Sequence, residues 1–139
     1  MTNNPLLRVQ PLNTDLAAFM LRLIIGGLFI YHGYMKIDHY DQILPMFGDI
    51  IGIGSKLSFN LVIFAEFFCG ILVTIGLFTR LTVIPILITM LVAYFIAHKK
   101  DPFLSKELVF AFMTLSLVIF VLGSGRYSLD YLIFGRRNK

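Results

Sequence analysis

An all-α integral membrane four-helix bundle, with an interfacial or re-entrant segment between helices 1 and 2, is the fold class this sequence predicts. Three observations predict it. Hydrophobic residues make up 58% of the 139-residue chain and charged residues 14%, whereas a soluble domain is roughly 45 to 50% apolar. Apolar runs fall at about residues 16–36, 58–78, 81–98 and 108–122, each close to the ~20 residues that cross a bilayer core. The connections between them are short, so residues 1–139 read as a single transmembrane domain with no room for a separate soluble one.

Ahead of the first run, Met1 to Asp15 contains Pro5 and Pro11, and no small-residue cleavage site follows the run, so a cleaved signal peptide is not expected. The stretch Leu21 to Ile37, LRLIIGGLFIYHGYMKI, carries Arg22, His32 and Lys36 within membrane-grade apolar sequence. A charge such as Arg22 costs on the order of 2.5 to 3.5 kcal/mol inside a span unless it snorkels or pairs. Gly26 and Gly33 lie a heptad apart around Phe29, which allows a neighbouring backbone to approach this face closely.

Asp38 to Lys56 is apolar in patches and interrupted by Pro45, Gly48, Gly52 and Gly54, so it reads as a lid over the helix ends. The second run, opened by a Ser58 or Asn60 cap, carries Glu66 in its body. Glu66, Gly70 and Thr74 recur at helical spacing, placing a carboxyl, a close-approach site and a hydroxyl on one stripe. Thr79 and Arg80 alone separate this run from the third, so the two form a tight antiparallel hairpin. Pro85 removes one backbone donor early in the third run and is expected to bend its first turns. His98 to Pro102 end that run, Glu107 opens the fourth, and Gly123 to Arg126 close it. Ser128 to Lys139 reads as a short amphipathic interfacial segment with a basic end.

An even number of spans puts both termini on one side with the turn at Arg80. That side collects Arg8, Arg80, Arg126, Arg136, Arg137 and Lys139 against Lys36, Lys56, Lys99, Lys100 and Lys106 on the other, and this small bias, with the first turn-in and the basic tail, favours cytoplasmic termini. The formal charge of +4 therefore reports topology, and nucleic acid is not expected as a partner. Cys69 is the only cysteine, which excludes an intramolecular disulfide and a CxxC thiol-exchange centre.

Threading brings His32 and Lys36, at the exit of the first helix, to the same membrane face as His98 and Glu107. Glu66 lies roughly 12 Å below that face by the ~1.5 Å rise. Arg22 approaches from the other side, and an Arg22 to Glu66 pair is expected, because either charge alone is expensive in hydrocarbon. Gly33 and Gly70 are expected to leave space between the polar groups. His32, Lys36, His98 and Lys99 also suit a plainer role as interfacial residues reaching for headgroups.

Taken in order, Arg22, Gly26, Phe29, His32-Gly33, Lys36, Glu66, Gly70, Gly76-Leu77, Thr79-Arg80, His98, Glu107, Gly123-x-Gly125 and Ser128-Leu-Asp130 resemble the DoxX family. The resemblance extends from about residue 16 to residue 133. It implies a four-helix inner-membrane protein associated with redox chemistry, since relatives include the quinone-reducing subunit of thiosulfate:quinone oxidoreductase and a partner in a membrane oxidoreductase complex.

A quinone needs an apolar slot with polar groups for its carbonyls and protons. Glu66, His32 and His98 are the candidate catalytic groups, with Arg22, Lys36, Gly33, Gly70 and Glu107 as candidate ligand-binding positions. The sequence has no CxxCH haem attachment, cysteine cluster or dinucleotide fingerprint, so electrons are expected from a membrane or peripheral redox partner. The alternatives are a haem b on His32 and His98, a metal on those histidines with Glu66 and Glu107, a non-enzymatic scaffold, and a small-solute or proton transporter, the last needing a homo-oligomer.

Overall fold

The computed structural model describes residues 4–135. Among them every regular element is helical. Helix α1 spans Thr14–Asp38, α2 Ser55–Ile75, α3 Thr79–Ala97 and α4 Phe103–Leu122, and each is long and apolar enough to cross a membrane. A short helix, α5 (Leu129–Phe134), follows. The chain is a multi-pass membrane protein.

Local chemistry accounts for the ends. Asn13 caps α1, its side-chain oxygen accepting the Leu16 N–H at 2.9 Å, and Ser128 caps α5 by accepting the Tyr131 N–H at 3.2 Å. Gly76 closes α2 in the left-handed region (φ 72°), where a Cβ is costly. The short link Gly76 to Phe78 then forces the antiparallel hairpin read from the sequence. Pro85 sits inside α3 without ending it.

Two starts differ from expectation. Helix α2 begins at Ser55, after Gly54 (φ 95°) makes the entry turn and donates its N–H to Asp49 Oδ1 at 3.0 Å. Neither expected residue therefore caps it: Ser58 is buried in the helix, and Asn60 accepts a hydrogen bond from the Tyr40 hydroxyl at 2.8 Å. Helix α4 starts at Phe103, directly after Pro102, because the polar residues Ser105, Lys106 and Glu107 ride on its first turns instead of forming a loop. Hydropathy locates the apolar body of a helix and misses a polar first turn.

The helices pack in a ring, α1 against α2 and α4, and α3 against α2 and α4. Ile25, Phe29, Cys69, Val73, Val83, Ile86, Met90, Phe112 and Ile119 form the core. The α1–α2 seam is the tightest. A Cβ on Gly33 would lie 2.6 Å from the Phe67 backbone nitrogen, and one on Gly70 3.2 Å from the Ile30 nitrogen. These glycines serve backbone approach, so the space expected beside Gly33 and Gly70 does not exist.

Candidate functional site

The ring of helices opens at one end into a cavity of about 550 Å³. Its wall takes Phe29, His32 and Lys36 from α1, Ser58, Leu61, Val62 and Glu66 from α2, Ile88 to Ala97 in part from α3, His98, and Leu108, Val109 and Phe112 from α4. Met46, Phe47, Gly48, Ile50 and Ile51, from the segment between α1 and α2, supply the remainder. That segment folds as single helical turns, Tyr40–Ile43 and Leu44–Met46, before an irregular run. The rings of Tyr40 and Phe47 pack on the buried Phe59, with centroids at 5.2 and 5.0 Å. The expected lid is thus an apolar wall anchored to α2.

Glu66 occupies a π-helical turn, Phe64–Phe68, and α3 closes on a second, Ala93–Ala97, whose Ala93 and Ala97 line the same cavity. Such wide turns re-aim side chains and occur often at functional sites. The Glu66 side chain is 7% exposed, and Lys36 Nζ donates to its Oε2 at 2.5 Å while keeping 24% of its own side chain accessible. The lysine stem follows the helix surface and carries its charge from the rim to the buried carboxylate.

His32 stands edge-on to Phe112, centroids 5.7 Å apart. His98 Nδ1 meets Asp101 Oδ2 at 2.6 Å, and Lys106 Nζ reaches the His98 carbonyl at 3.3 Å. The Ser58 hydroxyl, in the cavity wall, is buried with no hydrogen-bond partner, a condition that costs about 1–3 kcal/mol. From the sequence Ser58 reads as a cap, and nothing in its spacing distinguishes a helix start from a second polar residue ahead of Glu66.

The other candidate residues lie elsewhere. Arg22 does not reach Glu66. It is 1% exposed at the opposite end, where its guanidinium donates to the carbonyls of Val73 (3.3 Å), Thr74 (3.0 Å) and Tyr127 (2.5 Å). Three carbonyls hold the two terminal nitrogens of the planar fork without a carboxylate, and the Nε stays buried with no partner. Asp130 completes this end. Its carboxylate accepts the N–H groups of Phe78 (2.7 Å) and Thr79 (3.1 Å), capping α3, and its own N–H donates to the Gly76 carbonyl at 2.9 Å. Ser128-Leu-Asp130 was legible as a motif and not as the cap of another helix.

Glu107 is exposed and outside the cavity. His32, His98, Glu66 and Glu107 do not converge as ligands: no group of three or more His, Cys, Asp or Glu side chains among the described residues is arranged to hold a metal ion. The cavity therefore offers an apolar slot with one half-buried ion pair, one orphaned hydroxyl and the imidazoles of His32 and His98 in its wall.

The DoxX family model matches residues 17–99, from inside α1 to just past the end of α3. The chain belongs to the DoxX family. It is 28% identical over 126 residues, 89% of this chain and 92% of the other, to a Bacillus subtilis protein named "Putative oxidoreductase CatD". It is 36% identical over 125 residues, 79% of this chain and 77% of the other, to an uncharacterized membrane protein, Rv3486, of Mycobacterium tuberculosis. No solved structure matches. The DoxX match takes in the cavity residues of α1, α2 and α3 together with Arg22, and stops short of α4 and Asp130.

Proposed function

We propose that this DoxX protein is a quinone-linked redox subunit and that the cavity is its quinone site. The observation that carries the reading is the Lys36–Glu66 pair: a carboxylate nine-tenths buried in an apolar slot, joined by a lysine to the rim. Intramembrane ionisable groups mark ligand or proton pathways by default. The volume of about 550 Å³ falls within the ~300–1,000 Å³ of small-molecule sites. The residues also suit the ligand, since quinone carbonyl oxygens accept hydrogen bonds and the wall holds donors in Lys36 and the unpartnered Ser58 hydroxyl.

Reducing a quinone to its hydroquinone takes two electrons and two protons. The electrons come from a redox partner, and the chain's own residues bind the ring and supply protons. The Lys36–Glu66 pair passes both protons in turn from water at the rim to the ring, Lys36 keeping 24% of its side chain accessible and Glu66 holding its ammonium inside the slot. His32 positions the ring from the side of Phe112. The name of the Bacillus subtilis relative supports a redox association. Counted from the sequence, six basic residues (Arg8, Arg80, Arg126 and, outside the described residues, Arg136, Arg137 and Lys139) fall on the side of the termini against five (Lys36, Lys56, Lys99, Lys100 and Lys106) on the cavity side, a small bias that favours cytoplasmic termini and a cavity facing the outer side.

The test is Glu66→Gln, which keeps size and hydrogen bonding and removes the titratable proton. Quinone-linked turnover with the redox partner should fall by roughly 10²–10⁴-fold while the folded fraction is kept. Unchanged electron transfer with intact complex assembly would instead make the chain a scaffold.

A further inference from the structure

The cavity is bounded unequally. Near their hairpin, α2 and α3 pack closely, through Cys69–Ile75 against Thr79–Val92. The packing thins at the π turn Phe64–Phe68, and the Ser55–Ile63 half of α2 has no comparable contact with α3. The last turn of α3, Ala93–Ala97, leans on α4 instead. The two helices therefore diverge from Gly76 toward the cavity end.

The residues on either side of this divergence face both ways. Leu61 on α2 and Ile88 on α3 line the cavity and are 48% and 54% exposed, and each shares a helix stripe with exposed residues that do not line it, Leu57, Phe64 and Phe68 on α2 and Leu81, Ile84 and Leu91 on α3. Side chains that belong to a cavity wall and to the lipid-facing surface at once mark a mouth. Counted along the helices from Ser55 and from Ala97, they lie ~9 and ~14 Å below the end of the bundle, within the hydrocarbon layer.

We infer that the seam between α2 and α3 is a lateral portal, through which a quinone with a long isoprenoid tail enters from the bilayer and in which its tail stays while the head lies at Glu66. The inference rests on the quinone reading and adds the route and the tailed class of ligand. Leu61, Val62, Ile88 and Val92 offer the tail a purely apolar channel. A head group carried in by this route meets Glu66 without crossing the lid formed by Met46 to Ile51.

The chain contains no tryptophan, so a single introduced indole reports on one place. Leu61→Trp, Ile88→Trp and, as a control, Phe110→Trp are reconstituted in phosphatidylcholine liposomes and titrated with a long-tailed quinone, which quenches indole fluorescence on contact. Phe110 lies at similar depth on α4, is 38% exposed and does not line the cavity. The expected result is saturable quenching at positions 61 and 88, severalfold stronger than the unsaturable partition quenching at 110, and loss of the saturable part when Glu66→Gln is added. Equal quenching at all three positions, with Glu66-dependent turnover intact, overturns the portal and leaves the quinone site standing. Absence of saturable binding and of Glu66-dependent turnover overturns both.

Discussion

At one end of the bundle Arg22 is 1% exposed and held by three backbone carbonyls, whereas at the other Lys36 keeps 24% of its side chain accessible and meets one carboxylate. Both are cations on the same helix. The Arg22 end is closed over by the chain after α4, with Asp130 stitched to the start of α3. The Lys36 end is hollow, with an apolar wall and an ion pair, and each end keeps buried polar atoms without a partner, Ser58 Oγ here and Arg22 Nε and Thr79 Oγ1 there. A charge satisfied by fixed carbonyls has no second state to adopt, so it stabilises. A charge satisfied by another titratable side chain can exchange partners and protons, so it is available to a ligand. The difference in partner, more than the difference in depth, separates structural from functional polarity here.

The largest expected effect falls at the closed end. Arg22→Leu strips donors from three carbonyls and should cost roughly 3 to 5 kcal/mol of stability, measured by reversible unfolding in mixed micelles. A loss below about 1 kcal/mol would mean that the carbonyls find other donors and that the closed end is not the stabilising one.

A smaller effect is expected at the open end. Lys36→Met leaves Glu66 without its cation and should cost about 2 to 3 kcal/mol, and adding Glu66→Gln should return part of that, a coupling of about 1 to 3 kcal/mol. In the same assay Arg22→Leu and Glu66→Gln should add within ~0.5 kcal/mol, since they share no partner. Coupling between Arg22 and Glu66 would erase the distinction between the two ends.

Asp130→Ala removes the cap of α3 and should cost roughly 1 to 2 kcal/mol, with quinone binding at the far end unchanged. A matching loss of binding would show that the two ends communicate.

The smallest effect concerns mobility alone. Amides of residues 48–53, which form no helix, should exchange faster than those of 131–134, although both segments lie at the ends of the bundle. Equal protection would make the segment between α1 and α2 as rigid as α5.

Much of this arrangement could be read from residue types. Runs of hydropathy locate the four helices, and alternating direction sends His32, Lys36 and His98 to one end with Glu66 beneath. Rotation about each helix axis is another matter. Depth arithmetic allowed Arg22 to approach Glu66, yet Arg22 faces the carbonyls of Val73 and Thr74, acceptors that every residue carries and no side-chain pattern reveals. The π turn at Phe64–Phe68 shifts the helical register by a residue and has no sequence mark. Gly33 and Gly70 announced close approach, and the space they were expected to leave is filled by the helix they let in. Ser58 looked like a cap because serine usually is one near a helix start.

The partners of Arg22 also impose an order on biogenesis. Tyr127, whose carbonyl completes the guanidinium's set, lies 105 residues later in the chain. At about 5 to 20 residues per second the ribosome reaches it roughly 5 to 20 seconds after Arg22. Through that interval the first helix carries a cation whose set of acceptors is incomplete. The hairpin of α2 and α3 delivers two carbonyls, and the last-made segment delivers the third. A chain that ends before Tyr127 leaves the guanidinium one carbonyl short, and its first helix correspondingly less firmly held.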